Sequence, residues 1–349
     1  MIKVLHLLRS NRFSGAENVA CQIIEMFKNG PIDMAYSSQD GKIRETLRER
    51  EISFKPMKSL CFSEVRRVVR EFKPDIIHTH DVSAGVFAAM AGGKARIISH
   101  IHMDNSMRKI RIKSLVYGIC SVRFKHIFWV STFSFRRFVF KKAVEKKSTV
   151  LRNVINAEDI FDRVKSDNYD YDIDIIYVGR LTYLKNPQRL IKILKIVVDK
   201  YKSLKAVIVG NGELENEVKE LVEQLGIGKS IKFTGFCANP LKMIKQAKVM
   251  LMTSRFEGLP MCALEALALG VPIVSTPAGG LAEIISDEEN GFLSEDDTTL
   301  ADCLVNILRD DTLRKKLSES AKRGFFAVND LTTYKLELLK QYCYDNSKL

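Results

Sequence analysis

The sequence predicts an α/β protein built from two doubly wound domains, and three observations carry that expectation. Short apolar runs suited to buried parallel strands alternate with amphipathic stretches of helical period, and the alternation runs through twice. Between the two rounds lies Asn156–Asp172, a polar stretch ending in DNYDYD, with the character of a linker. A chain of 349 residues is long for one core and comfortable for two.

In the first round Ile2–Leu8, Asp33–Ser37, Asp75–His80, Arg96–His102 and His126–Ser131 read as strands, separated by helical stretches such as Glu17–Phe27, Ser63–Phe72 and Ser83–Ala91. The second round runs Ile173–Val178, Lys205–Val209, Ile231–Thr234, Val249–Thr253 and Val271–Ser275. Its helices open at Pro187, Leu214, Pro240, Pro260 and Thr298, with proline suited to the first turn because its missing N–H would be unpaired there anyway. The expected boundaries are residues 1–165 and 166–330, followed by a last helix, Leu331–Tyr344, within 331–349.

Several function classes are excluded early. Seven cysteines, Cys21, Cys61, Cys120, Cys237, Cys262, Cys303 and Cys343, are odd in number and scattered, so they read as reduced thiols, neither disulfides nor zinc ligands. No apolar run is long enough to span a bilayer, and MIKVLHLLRS turns polar too soon for a signal peptide, so a cytoplasmic chain is expected. No phosphate-loop or nucleophile-elbow pattern occurs, and Gly210-Asn211-Gly212 lacks the third glycine and acidic partner of a dinucleotide fingerprint. Asp172-Ile173-Asp174 enters a strand and reads as linker charge.

Charge is shared unevenly. Residues 1–165 hold 31 Lys and Arg against 16 Asp and Glu, whereas residues 166–349 hold 24 against 26. Lys94–Arg152 carries 15 basic and 2 acidic residues, interleaved with Phe124, Phe128, Trp129, Phe133, Phe135, Phe138 and Phe140. Basic stems with exposed aromatics suit an anionic bilayer surface; a solvated basic face over an aromatic core is the competing reading. Nucleic acid is not expected, because no reading module accompanies the charge.

The densest chemistry lies in Ser254–Glu283, where Glu257 and Glu265, eight residues apart, flank a Gly258-Leu259-Pro260 turn. The preceding apolar run is a buried strand, so Glu257 falls in the loop at its carboxyl end, where open α/β sheets bind ligands, and Glu265 falls on the next helix. A carboxylate accepts through two oxygens: Glu265 could clamp the paired hydroxyls of a ribose and Glu257 those of a sugar ring. Gly279-Gly280 then leads into a short helix at Leu281, whose free N–H groups could seat a phosphate without metal. Ordinary solvated acids and an ordinary glycine turn would explain any one of these residues; the ordered combination favours the binding reading.

These residues resemble a known family. S-x-x-E-G-x-P, then E-A-x-A-x-G-x-P-[IV]-[VI]-S, then G-G-x-x-E is similar to the donor-site signature of retaining glycosyltransferases of family 4, also called group 1. Here it is carried by Ser254, Glu257, Gly258, Pro260, Glu265, Ala266, Gly270, Pro272, Gly279, Gly280 and Glu283. Tyr177-Val178-Gly179-Arg180-Leu181 with Lys185-Asn186-Pro187 resembles the family's V-G-R segment, and Val209-Gly210-Asn211-Gly212-Glu213 its G-x-G turn. The resemblance implies the GT-B fold, two Rossmann-like domains facing across a cleft, with the last helix crossing back to the first domain. It also implies transfer of a hexose, with retention, from a nucleotide diphosphate sugar, UDP foremost, to a glycan or lipid-linked acceptor in capsule, exopolysaccharide or lipopolysaccharide synthesis. No cofactor or metal is implied. The expected location is the cytoplasm, peripheral at the inner face of the plasma membrane.

Residue roles follow from the resemblance. Arg180 and Lys185 would stabilise the leaving diphosphate, with Gly210, Asn211 and Gly212 and the donors near Gly280 and Leu281 beside them. Glu257 would hold the sugar and Glu265 the ribose. Phe13-Ser14-Gly15-Ala16-Glu17 is similar to the family's G-G-x-E loop with Ser14 in place of one glycine, so Gly15 is a candidate contact; a helix N-cap, Ser14 with Glu17 three residues on, explains the segment equally well. Arg96–His102 resembles the strand ending in the active-site histidine, its register favouring His102 over His100 as the sugar contact. His78-Thr79-His80 and His100-Ile101-His102 place each pair on one strand face, from which a metal could be chelated, although shaping the acceptor side is the expected role. The competing functions are a non-catalytic glycosyltransferase-like subunit, a polyanion-binding scaffold and a metal-dependent hydrolase.

Overall fold

A computed structural model describes residues 1–102 and 112–343. The chain divides into two compact units, residues 1–153 with the C-terminal stretch from Leu331, and residues 154–330.

The first unit holds a six-stranded sheet of β1 (Ile2–Leu7), β2 (Ile32–Ser37), β3 (Ile76–Thr79), β4 (Arg96–Ile101), β5 (Phe124–Trp129) and β6 (Ser148–Val150), in the order β2-β1-β3-β4-β5-β6. Every pairing is parallel, with Leu5 opposite Ile77, Ile77 opposite Ile97 and Trp129 opposite Val150. Parallel strands are covered on both faces, which is why they read as continuous apolar runs. One face packs Leu5, Leu7, Ile77, Ile97 and Trp129 against Val65, Val68, Ala84 and Ala88 of two helices. The C-terminal helix Leu331–Tyr342 belongs to this unit, where Tyr334, Leu338 and Tyr342 are buried.

The second unit repeats the plan with β7 (Ile173–Val178), β8 (Ala206–Val209), β9 (Ile231–Gly235), β10 (Ala247–Met252), β11 (Ile273–Ser275) and β12 (Gly291–Leu293). The order β12-β11-β10-β7-β8-β9 is again all parallel. The chain winds one way from β7 through β9 and the other way from β10 through β12, so β7 and β10 flank the topological switch point. Its core joins Ile175, Ile208, Val249 and Leu251 to Leu190, Leu194 and Val197 of helix Pro187–Lys200 and Leu304 and Leu308 of helix Asp297–Arg309.

Four features depart from what the sequence suggests. The stretch read as a linker contains helix Ala157–Lys165, which lies in the second unit ahead of residue 165 and buries Ile160 and Val164. Its helical period was masked by five charged residues, Glu158, Asp159, Asp162, Arg163 and Lys165, four of which are exposed. Edge strands β6 and β12 are three residues each, too short for a period to show. Asp174 is not linker charge: buried in β7, it accepts from Lys205 N at 2.9 Å and pairs with Lys248 at 2.8 Å, tying three neighbouring strands at one end of the sheet. The aromatics of Lys94–Arg152 are not a surface feature either. Phe124, Phe128, Trp129 and Phe138 are fully buried, and Phe133, Phe135 and Phe140 are half-buried.

Candidate functional site

The carboxyl ends of β7 and β10 are laced together. Arg255 N donates to Leu184 O at 2.8 Å, the Arg255 guanidinium to Asn186 Oδ1 at 2.8 Å, and Thr253 Oγ1 to Asn186 O at 3.1 Å. Asn186 itself sits at φ 52°, a left-handed turn that asparagine tolerates and that sets Pro187 at the start of its helix. This lacing delivers Lys185 onto Glu257: Lys185 Nζ and Ser254 Oγ each reach Glu257 Oε1 at 2.5 Å. The pair is nearly dry, with side-chain exposures of 14% and 4%. Both donors fall on one oxygen, and Oε2 makes no hydrogen bond among the described residues. An ammonium has three donors, so Lys185 retains two.

Glycines hold the neighbouring loops at backbone contact. A Cβ on Gly280 would stand 1.7 Å from Gly258 O, and one on Gly212 would stand 2.2 Å from Leu181 O. The loop after β11 thus closes on the loop after β10, and the loop after β8 closes on the loop after β7. Gly280 N donates to Glu257 O at 3.1 Å and Leu281 N to Ala278 O at 3.3 Å. The two N–H groups expected to be open for a phosphate are therefore engaged in fixing the loops, because the glycine pair serves loop-to-loop approach first. Asn211 likewise uses its backbone oxygen, which accepts from Leu181 N at 2.9 Å, while its side chain is exposed.

Arg180 and Glu265 complete the second unit's set. Arg180 is exposed and, among the described residues, in no ion pair. Its charge and that of Glu257 act in opposite senses on the buried Tyr177 hydroxyl, which burial holds well above its usual range; the two groups therefore share one neighbourhood. Glu265 lies half-buried on helix Met261–Ala268, where burial pushes its carboxyl up to about 7 and Arg163 opposes the shift. With no cation among the described residues in an ion pair with it, that carboxyl would gain from hydroxyl donors.

The first unit presents a different constellation. His6 of β1, His78 of β3, and His100 of β4 project to one face of the sheet, with His80 and His102 just past the strand ends. His6 Nδ1 lies 2.9 Å from His80 Nε2, and His80 Nδ1 lies 3.0 Å from His102 Nε2, so three imidazoles form one hydrogen-bonded chain whose tautomers are coupled. His78 Nδ1 meets Tyr342 Oη at 2.6 Å. Burial lowers His6 and His102 to about 3 and His126 to about 4, and holds His78, His80 and His100 well below the usual range. The triples His6/His78/His80 and His80/His100/His102 each keep ligand atoms within 4.8 Å, close enough for a transition metal to bridge. Gly15 opens helix Gly15–Met26; Ser14 occupies its N-cap position, but its hydroxyl donates to the Glu17 carboxylate in place of capping a backbone N–H.

The structure thus gathers Lys185, Glu257, Gly258, Gly279, Gly280 and Leu281 in one loop cluster, and ties Gly210, Asn211 and Gly212 to the loop that carries Arg180 and Lys185. His102 and Gly15 belong to the other unit. Sequence reasoning missed Asn186 and Arg255 as the link between the two main loops; a left-handed asparagine before a proline is the signal that was available. It also missed the His6–His80–His102 chain, which only strand pairing reveals.

Residues 158–324 match the family model described as glycosyl transferases group 1, and residues 34–159 match glycosyltransferase family 4, so the two together span most of the chain. The chain is similar to the uncharacterized glycosyltransferase MJ1059 of Methanocaldococcus jannaschii, 25% identical over 75% of this chain and 78% of the relative. It is similar to the GalNAc-alpha-(1->4)-GalNAc-alpha-(1->3)-diNAcBac-PP-undecaprenol alpha-1,4-N-acetyl-D-galactosaminyltransferase of Campylobacter jejuni, 27% identical over 75% of this chain and 73% of that one. Among solved structures, Anabaena HepE in complex with UDP-glucose superposes with a TM-score of 0.86 at 20% identity, covering 99% of this chain and 100% of HepE. That likeness establishes the fold, GT-B with its two α/β domains.

Proposed function

The chain belongs to the group 1 glycosyltransferases of family 4, and from that premise we propose that it moves a hexose from a UDP-sugar to a lipid-linked glycan, with retention and without a metal, in cell-surface polysaccharide synthesis. The single observation that carries this reading is the Lys185–Glu257–Ser254 cluster at the switch point of the second unit. As the glycosidic bond breaks, the diphosphate gains negative charge, and fixed cations aimed at it lower the barrier. Lys185, pinned by one of its donors, offers two to the phosphates, and exposed Arg180 adds a second cation. Glu257, with Oε1 occupied, presents Oε2 to sugar hydroxyls and favours the oxocarbenium-like centre. Glu265 takes the ribose hydroxyls, and His102, its ring held by His80, orients the sugar. Gly15 is a further proposed ligand contact.

Two relatives support the acceptor and donor classes: the Campylobacter enzyme acts on an undecaprenyl diphosphate oligosaccharide, and HepE was crystallised with UDP-glucose. Among the described residues no helix is long and apolar enough to cross a membrane. Docking at the cytoplasmic membrane face is part of the proposal, as the way a lipid-linked acceptor is reached. A thermal-shift screen of UDP, GDP and their hexose conjugates tests the donor. Stabilisation of about 2.7 kcal/mol is expected at a hundredfold excess over the dissociation constant. Transfer to a lipid-linked acceptor should persist in EDTA and give an α product from an α donor; loss in EDTA or an inverted product would overturn the corresponding part of the proposal.

A further inference from the structure

Helix Ile112–Cys120 is amphipathic the wrong way round for a core helix. Its inward positions are Ser114 and Tyr117, both fully buried, and Gly118, packed against the Phe140 ring, with Ser121 buried just beyond. Tyr117 is anchored by a 2.8 Å hydrogen bond to Ser99 and by ring contacts with Phe124 and Phe138. Outward it shows Ile112 at 84% exposure, Leu115 at 46%, Val116 at 36% and Ile119 at 64%, continued by Val122 at 79%. Spacings of three and four residues put the helical members on one stripe. Arg123 donates to Gly93 O at 2.7 Å, which ties the end of this segment to the turn that follows helix Val82–Ala91, where Met90 is 56% exposed. Aliphatic side chains clustered in this way are rare on a surface that meets only water.

We propose that this stripe is the surface by which the first unit docks on an anionic bilayer. The occupant follows from charge: Lys94, Lys113, Arg123 and Lys125 are exposed around or along the stripe, and residues 1–165 carry 31 basic against 16 acidic residues. An apolar stripe rimmed by lysine and arginine enters the headgroup boundary with its aliphatic side while the cations meet lipid phosphates. The inference rests on the proposed lipid-linked acceptor for its purpose, but not for its evidence.

The test is co-sedimentation of the full chain with vesicles of phosphatidylcholine and phosphatidylglycerol, against phosphatidylcholine alone. Wild type should pellet with the anionic vesicles only. A triple variant, Ile112→Ser, Ile119→Ser and Val122→Ser, should partition at least about tenfold less, whereas Phe62→Ser with Leu336→Ser, exposed apolar residues elsewhere in the unit, should pellet as wild type does. Equal pelleting of the triple variant, no pelleting of wild type, or a triple variant that loses only self-association would each overturn the assignment. Thermal shift with UDP separates the two proposals: a chain that pellets but ignores nucleotide keeps this surface and loses the proposed reaction.

Discussion

The two sheets end in opposite chemistries. At the switch point of the second unit the loops carry formal charges, a lysine bonded to a glutamate and an exposed arginine nearby, held by glycines that allow backbone to touch backbone. The corresponding strand ends of the first unit carry neutral imidazoles, stacked and hydrogen-bonded to one another, whose burial keeps protons off. The same architecture therefore supports a charged loop cluster in one unit and a polar interior that stays uncharged in the other. All six histidines precede residue 127, so the second unit has none and the two should respond to acid quite differently.

The largest expected effect comes from breaking the buried ion pair. Lys185→Met leaves the Glu257 carboxylate dry and short of its cation, which should destabilise the second unit by about 3 to 5 kcal/mol and abolish measurable transfer. Urea unfolding and a turnover assay check both; Glu257→Gln, which keeps the shape and can still bond Ser254, should cost less stability for a similar loss of activity.

Acid should act on the other unit. The folded pKa of these histidines lies below the unfolded value of 6.5, so the unfolded chain binds more protons; their stabilising contribution is complete above pH 6.5 and falls away as pH drops toward 3 or 4. At pH 5 each of His6 and His102 should contribute about 2 kcal/mol less than at pH 7. Trp129, the single tryptophan, is buried in the first unit and bonds Ser148 at 3.0 Å, so its fluorescence reports that unit alone. Its urea midpoint should fall between pH 7 and pH 5 while hydrogen exchange in the second-unit strands holds.

Arg180 sharpens the contrast between holding a fold and doing chemistry. Being exposed and outside any ion pair among the described residues, it should tolerate Arg180→Ala within about 0.5 kcal/mol of stability. Transfer should nevertheless fall by roughly a hundredfold or more, the loss seen when a donor to a developing anion is removed. Glu265 should show the smallest effect and the opposite sign in stability. Its folded pKa of about 7 exceeds the unfolded value, so its contribution is complete below pH 4.5 and is lost as pH rises through 7. Glu265→Gln should therefore stabilise the protein by about 1 to 2 kcal/mol at pH 8 while weakening nucleotide-sugar binding and flattening its dependence on pH near 7.

Much of this was legible in the sequence because the second unit writes its site locally. Glu257, Gly258, Pro260 and Glu265 fall within one loop and the helix after it, and the apolar runs of β7 and β10 locate both loops at strand ends. What could not be read is what depends on pairing across the sheet. His6 and His80 are 74 residues apart and meet only because β1 lies beside β3. The engaged N–H groups of Gly280 and Leu281 depend on how closely two loops approach, which composition does not encode. The aromatics between Phe124 and Phe140 allowed both a surface and a core reading because interleaved charge masks burial, and the outward stripe of Ile112–Val122 has no signature in composition alone.

The central claim is that Arg180, Lys185, Glu257 and Glu265 act on one donor molecule. Isothermal titration of UDP and of a UDP-hexose into wild type, Arg180→Ala and Glu265→Gln tests it most directly. Wild type should bind both ligands, and each variant should bind both at least about tenfold more weakly at unchanged stoichiometry, a loss of about 1.4 kcal/mol. Affinities in both variants equal to that of wild type would contradict the account.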